Sequence, residues 1–172
     1  MYILSWVFGM AGIIINAVIY HQKKRETLLF VKLISDIVWF IHYSLISAWN
    51  AALTCGISTM RETVFINKKY KWANSKAWLI LFIVCGIIIA IFTWHGIISI
   101  LPTLASITSV FVYWIGNPKL TRLCQIPISI GFLLYNIANN SYMGIVNECL
   151  TLLSILLVFV NYLKASNNAS KC

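Results

Sequence analysis

Residues 35–49 read SDIVWFIHYSLISAW, an apolar run that carries Asp36, one of only four acidic residues in the chain, with Trp39, His42 and Tyr43 following at helical intervals. Asp36, Trp39 and Tyr43 stand at i, i+3 and i+7, so they share one helical face, and Lys32 extends that stripe by a turn. The run decides the fold because its meaning depends on the solvent around it. In lipid an ionisable group at mid-depth costs about 2.5–3.5 kcal/mol on insertion scales, so it faces a partner, the bundle interior or a wet cavity. The run ends at Ser47-Ala48-Trp49, a connection so short that the next helix must be an antiparallel neighbour.

The rest of the chain settles the solvent. Of the 172 residues, 60% are hydrophobic and 10% charged, against roughly 45–50% and about 25% in soluble domains. A crossing helix needs about 20 predominantly apolar residues, and seven segments fit, near 2–20, 27–46, 48–66, 76–94, 96–114, 121–138 and 142–163. The first lacks a basic leader and a small-residue cleavage site, so it reads as a retained helix rather than a removable signal. The expected fold is all-α, a polytopic membrane protein of seven transmembrane helices.

The net charge of +9 reflects topology rather than a polyanion, because no basic patch or nucleic-acid motif accompanies it. Lys23, Lys24 and Arg25 follow the first span; Lys68, Lys69, Lys71 and Lys76 the third; Lys119 and Arg122 the fifth; Lys164 and Lys171 the seventh. These are eleven of the thirteen Lys and Arg, and the connections after spans two, four and six carry none. Because cytoplasmic loops are rich in Lys and Arg, the N-terminus is expected outside and the C-terminus in the cytoplasm.

Shifting the chain by 93 residues lays the turn Ser47-Ala48-Trp49 on Asn140-Ser141-Tyr142 and His42-Tyr43 on Tyr135-Asn136. Residue identity at this offset is sparse, with Ile14/Ile107, Tyr20/Tyr113 and Ile37/Ile130 as examples. The expectation is one membrane domain made of a first three-helix unit (1–69), a linker helix (70–95) and a second three-helix unit (96–172), the units being parallel repeats about an axis along the membrane normal.

The combination Asp36-x-x-Trp39-x-x-His42-Tyr43, Arg61 one helix later, then Pro102, Arg122 and LLYNIANNSYMGIVNE (133–148) resembles the YgjV family of bacterial inner-membrane proteins. The resemblance implies a multi-pass protein of the bacterial inner membrane. The three-one-three layout resembles the SWEET and PQ-loop transporters, although neither half contains a Pro-Gln dipeptide.

Candidate site residues are the polar groups that depth forces inward. Asp36 lies near the middle of its span and Glu148 about a third of the way into the last; Glu62 and Glu26 are expected to reach the cytoplasmic interface. Arg61 is placed to reach Asp36, and His42 lies obliquely to the stripe. Trp39 and Tyr43 facing Tyr135 and Asn136, with Asn147 beside Glu148, would make a cavity of rings and amides suited to a small polar solute, sugar-like, nucleoside-like or zwitterionic. Pro102 and Pro127 fall inside spans, where each frees a carbonyl and permits a hinge.

The five cysteines have no metal-ligand spacing, and no catalytic triad or phosphate-cradling loop is present. The reading is therefore a carrier rather than an enzyme, without metal or cofactor. The alternative is a membrane scaffold or accessory subunit. Its partners are the lipid bilayer and a small-molecule solute, not nucleic acid, and a homo-oligomer is compatible with it.

Overall fold

The computed structural model describes the backbone of residues 2–169 apart from 20, 23 and 95, and side chains over that range apart from 2, 118 and 161–169. Lys23, Lys171, Tyr20, His95 and Cys172, and the side chain of Lys164, thus lie outside the described residues. Seven helices follow one another: α1 Tyr2–Ile19, α2 Arg25–Leu45, α3 Trp49–Ile66, α4 Ala77–Phe92, α5 Ile100–Ile115, α6 Pro118–Ala138 and α7 Tyr142–Ala169, with a short 3₁₀ turn, Ile97–Ser99, ahead of α5. Helix α6 opens on a proline with Asn117 as its cap, the side chain accepting from the Lys119 amide at 3.0 Å.

The distribution of polarity is that of a protein solvated by lipid. Ile14, Ile80 and Ile91 are each more than 60% exposed, whereas Arg61, Glu62 and Asn136 are at most 1% exposed. In water that arrangement would combine a large exposed apolar surface with costly buried charge. In a bilayer the outer surface meets acyl chains and the polar groups meet each other.

Four helical stretches are long and apolar enough to cross a membrane by themselves: Arg25–Leu45, Ile97–Ile115, Lys119–Ala138 and Tyr142–Val160. The other three of the seven expected spans fall short for two reasons. The apolar stretches Ile3–Ile19 and Ala77–Phe92 are shorter; at 1.5 Å per residue, 16 residues of α4 reach about 24 Å against a core of about 30 Å. Helix α3 is polar on its buried side, with Asn50, Thr54, Ser58, Arg61 and Glu62 all turned inward.

Six helices pack in a closed ring, α1 on α2, α2 on α3, α3 on α5, α5 on α6, α6 on α7 and α7 back on α1, while α4 lies against α3 and α5. The offset of 93 residues recurs in the backbone. Helix α6 begins and ends 93 residues after α2, and α7 begins 93 after α3. Ser47 and Asn140, the described non-glycine residues with positive φ, stand 93 apart at 58° and 53°. The tight turns they occupy close with matching bonds, Ala48 N to Tyr43 O and Ser141 N to Asn136 O, both 2.9 Å.

Hydrogen bonds tie the basic turns together at one end of the ring. Arg25 Nη2 donates to Tyr113 O at 3.3 Å, Lys68 Nζ to Trp114 O at 2.6 Å and Arg122 Nη2 to Gln22 O at 3.4 Å. Partial burial, and then the nearby charge of Arg25, hold the Lys68 ammonium below the ordinary lysine range. At the opposite end Asn50 Nδ2 donates to Thr93 Oγ1 at 2.7 Å, and His42 bridges α1 and the α6–α7 turn.

Candidate functional site: a polar cavity inside the ring

A cavity of about 70 Å³ lies inside the ring and takes its walls from all six of its helices. Twelve of its seventeen lining residues fall into six pairs spaced by 93 residues. Lys32/Gln125, Trp39/Phe132 and Asn16/Ser109 come from the first two helices of each group, and Thr54/Asn147, Cys55/Glu148 and Ser58/Thr151 from the third. The charged member of a pair always faces a neutral one, so the shape is two-fold while the charge is not.

On α2, Lys32 and Asp36 form an i, i+4 ion pair, with Asp36 almost fully buried. This corrects the expectation that Arg61 reaches Asp36. Arg61 instead pairs with its neighbour Glu62, Nη2 to Oε1 at 2.7 Å, because its long side chain folds back along α3. The guanidinium also donates to Ser106 O at 3.4 Å and lies 5.2 Å from the Tyr113 ring centroid, joining α3 to α5. The expectation that Glu62 escapes to the cytoplasmic interface is likewise overturned: it is fully buried, and Arg61 satisfies one of its oxygens.

Glu148 is buried where its depth in the last span suggested, and Asn147 Nδ2 donates to it at 2.9 Å. Asn147 Oδ1 in turn accepts from Asn16 Nδ2 at 2.7 Å, which crosses from α7 to α1. Asn16 Oδ1 accepts from the Ser35 hydroxyl on α2. Three helices are thus joined by one polar chain.

Trp39 and Tyr43 line the cavity, with ring centroids 5.5 Å apart. Tyr43 Oη donates to Asn136 Oδ1 at 3.0 Å, so the facing of Tyr43 and Asn136 is realised. Asn136 and Tyr135 do not line the cavity, however: Tyr135 packs in the cluster that also holds Trp39, Ala48 and Ala51, and Asn136 is buried against the Tyr43 phenol. His42 points away from the cavity. Its Nδ1 lies 2.8 Å from Ser5 O and its Nε2 3.3 Å from Ser141 Oγ, at the floor of a wider depression of about 670 Å³ at the end of the ring opposite the basic turns. Trp39 and Tyr43 on the cavity side and His42 on the depression side form a layer of touching rings, with centroids 5.1–5.5 Å apart. Toward the basic end Ile19, Leu29, Phe65, Val110 and Tyr113 pack in one buried apolar cluster.

Gly12 lets this layer close, since a Cβ there would lie 2.8 Å from the Trp39 indole. Gly144 similarly leaves room for the Asn136 amide. Pro127 lies inside α6, as expected, whereas Pro102 occupies the first turn of α5 just past the 3₁₀ turn. There its missing N–H would have had no helical partner in any case, so the expected hinge at Pro102 is corrected to a helix start.

Asp36 Oδ2 and Trp39 Nε1, an acceptor and a donor among the lining residues, are buried without a hydrogen-bond partner. Such groups cost about 1–3 kcal/mol each when left unmade, and both belong to side chains of the cavity wall. The sequence reading missed Asn16, Gln125, Thr54, Ser58, Ser109 and Thr151, ordinary polar residues in apolar runs. The offset of 93, applied to residues as well as to turns, is a signal that finds Thr54 from Asn147 and Gln125 from Lys32.

A family model described as a bacterial inner membrane protein matches residues 3–166. The chain belongs to the Imp-YgjV family. The resemblance to YgjV proteins thus holds over nearly the whole chain, and the helices described above are those of an Imp-YgjV inner-membrane protein with several apolar helices. No curated protein and no solved structure matches the chain, so the likeness to SWEET and PQ-loop carriers rests on layout alone.

Proposed function

We propose that this Imp-YgjV protein is a carrier of a small polar solute, built from two like-oriented three-helix units that rock about the central cavity. The observation that carries the reading is the cavity itself: walled by positions of both units that pair at an offset of 93 residues, and lined by Asp36 and Trp39, each with a buried polar atom that lacks a partner. Its volume of about 70 Å³, at roughly 10–15 Å³ per water, holds on the order of five waters. A metabolite larger than that requires the units to part, which is what rocking about the α3–α5 and α1–α7 seams does. Pro127 supplies a flexible point in α6. The N-terminus lies outside and the basic turns face the cytoplasm; a homo-oligomer is compatible with this arrangement, and no enzymatic step is invoked.

Purified protein in liposomes tests this with a panel of labelled sugars, nucleosides and amino acids. Uptake of at least one class is expected, falling tenfold or more in Asp36→Asn and Asn136→Ala while both stay folded. Unchanged uptake in both variants removes the cavity as the route.

One observation favours a second reading, a membrane scaffold or accessory subunit. Asp36 is tied to Lys32, as a structural ion pair would be. No uptake of any class, together with a stable partner protein recovered from native membranes, decides for the scaffold.

A further inference from the structure

Five side chains that ordinarily carry charge lie in or beside the cavity, Asp36, Arg61, Glu62 and Glu148 buried and Lys32 partly so. The first four form two ion pairs, and Glu148 belongs to neither. With all five ionised the buried set therefore carries one unmatched negative charge. From α2 the same cavity also receives Tyr43, and from α3 Cys55; α1, α5 and α6 contribute only neutral groups such as Asn16, Ser109 and Gln125.

Besides the Ser129 hydroxyl and the more distant charge of Lys32, what supports the carboxylate is an oriented chain of neutral donors. The Ser35 hydroxyl donates to Asn16 Oδ1, Asn16 Nδ2 to Asn147 Oδ1 at 2.7 Å, and Asn147 Nδ2 to Glu148 Oε1 at 2.9 Å. Each member presents its donor toward Glu148, so the dipoles add and their positive end meets the carboxylate. This chain is also the polar tie across the α1–α7 seam. The opposite seam is held differently, by Arg61 reaching Ser106 O with its own carboxylate already neutralised.

We propose that Glu148 is a proton-binding site and that its charge state sets the strength of the α1–α7 seam. A proton adds to the carboxylate to give the neutral acid, which takes the buried set from one net negative charge to none. The acid is a poorer acceptor and a new donor, so the Asn147–Asn16 chain loses the charge that orders it and the seam loosens. A proton fits better than a metal ion because no cluster of three or more metal-ligating side chains occurs among the described residues. Use of this proton to drive solute movement rests on the carrier reading; its binding does not.

Infrared difference spectroscopy of the reconstituted protein over a pH series reads the site directly, whether or not anything is transported. A protonated-carboxyl band is expected to grow as pH falls, to vanish in Glu148→Gln and to persist in Glu62→Gln. Persistence of the whole band in Glu148→Gln overturns the assignment. Asn16→Ala, which keeps Glu148, is expected to retain the band and move its midpoint to higher pH, because the anion loses its aligned amides. An unmoved midpoint overturns the link to the seam. Sodium or methylammonium chloride at fixed pH is expected to leave the band unchanged; suppression by either assigns the site to that cation and overturns the proton. Failure of the uptake panel alone leaves these readings intact.

Discussion

Tyr43 and Asn136 stand 93 residues apart in the chain and hydrogen-bond to each other at 3.0 Å, the phenol donating to the amide oxygen. In the proposed arrangement of two like-oriented units, equivalent positions meet only near the axis that relates them, and this bond would mark where that axis passes the layer above the cavity.

Removing the bond exposes its worth. Tyr43→Phe leaves the Asn136 oxygen buried beside an amide nitrogen that already lacks a partner, and is expected to cost about 1–3 kcal/mol. Adding Asn136→Leu removes the stranded acceptor, so the double variant is expected to be less destabilised than the sum of the singles. Thermal unfolding in detergent measures both.

The Arg61–Glu62 pair provides a second contrast. Arg61→Met strands Glu62 in the interior and is expected to destabilise by about 3–5 kcal/mol, whereas Arg61→Met with Glu62→Leu is expected to recover most of it. A double variant as unstable as the single would show that Ser106 O and the Tyr113 ring, rather than the charge, are what Arg61 supports.

Two glycines in apolar helices, Gly12 of α1 and Gly86 of α4, are expected to respond oppositely to the same methyl group. Gly12→Ala drives a Cβ into the Trp39 indole and is expected to cost about 1–3 kcal/mol. Gly86→Ala in α4 meets nothing within 4 Å and is expected to gain up to about 1 kcal/mol from helix propensity. The same unfolding assay compares them.

Orientation is open to chemical labelling. In a background without the five native cysteines, a single cysteine at Lys69 is expected to resist a membrane-impermeant thiol reagent in intact cells, and one at Asn139 to react. Both positions are exposed and lie at opposite ends of the ring. The reverse pattern inverts the topology.

Helix number and turn positions were legible because they depend on apolar length and on turns too short to permit more than one packing. Asp36, Glu148, Trp39 and Tyr43 were legible too, since depth in lipid leaves a charge or a polar ring few places to go. The partners of the charges were not. Arg61 has a long flexible side chain, and whether it reaches across to α2 or folds back onto Glu62 depends on packing that no spacing rule encodes. Glu62 looked peripheral because distance along the chain was taken for distance from lipid, whereas the inward face of α3 stays dry to its last turn. Asn136 failed as a lining residue for a simpler reason: it is buried against the phenol of Tyr43, which donates to it.

Helix α4 buries Phe82, Gly86 and Ile89, and packs Trp78, Leu79 and Ile83 half-buried beside them. In the proposed carrier its contribution is one of parity: three crossings would carry the chain to the far leaflet, a second set of three begun there would run upside down, and one extra crossing would restore the starting side. What such a spacer must conserve is therefore its greasiness and its odd count, not its letters. A chain severed within it should reassemble from two separately made fragments, provided that the spacer stays attached to one of them.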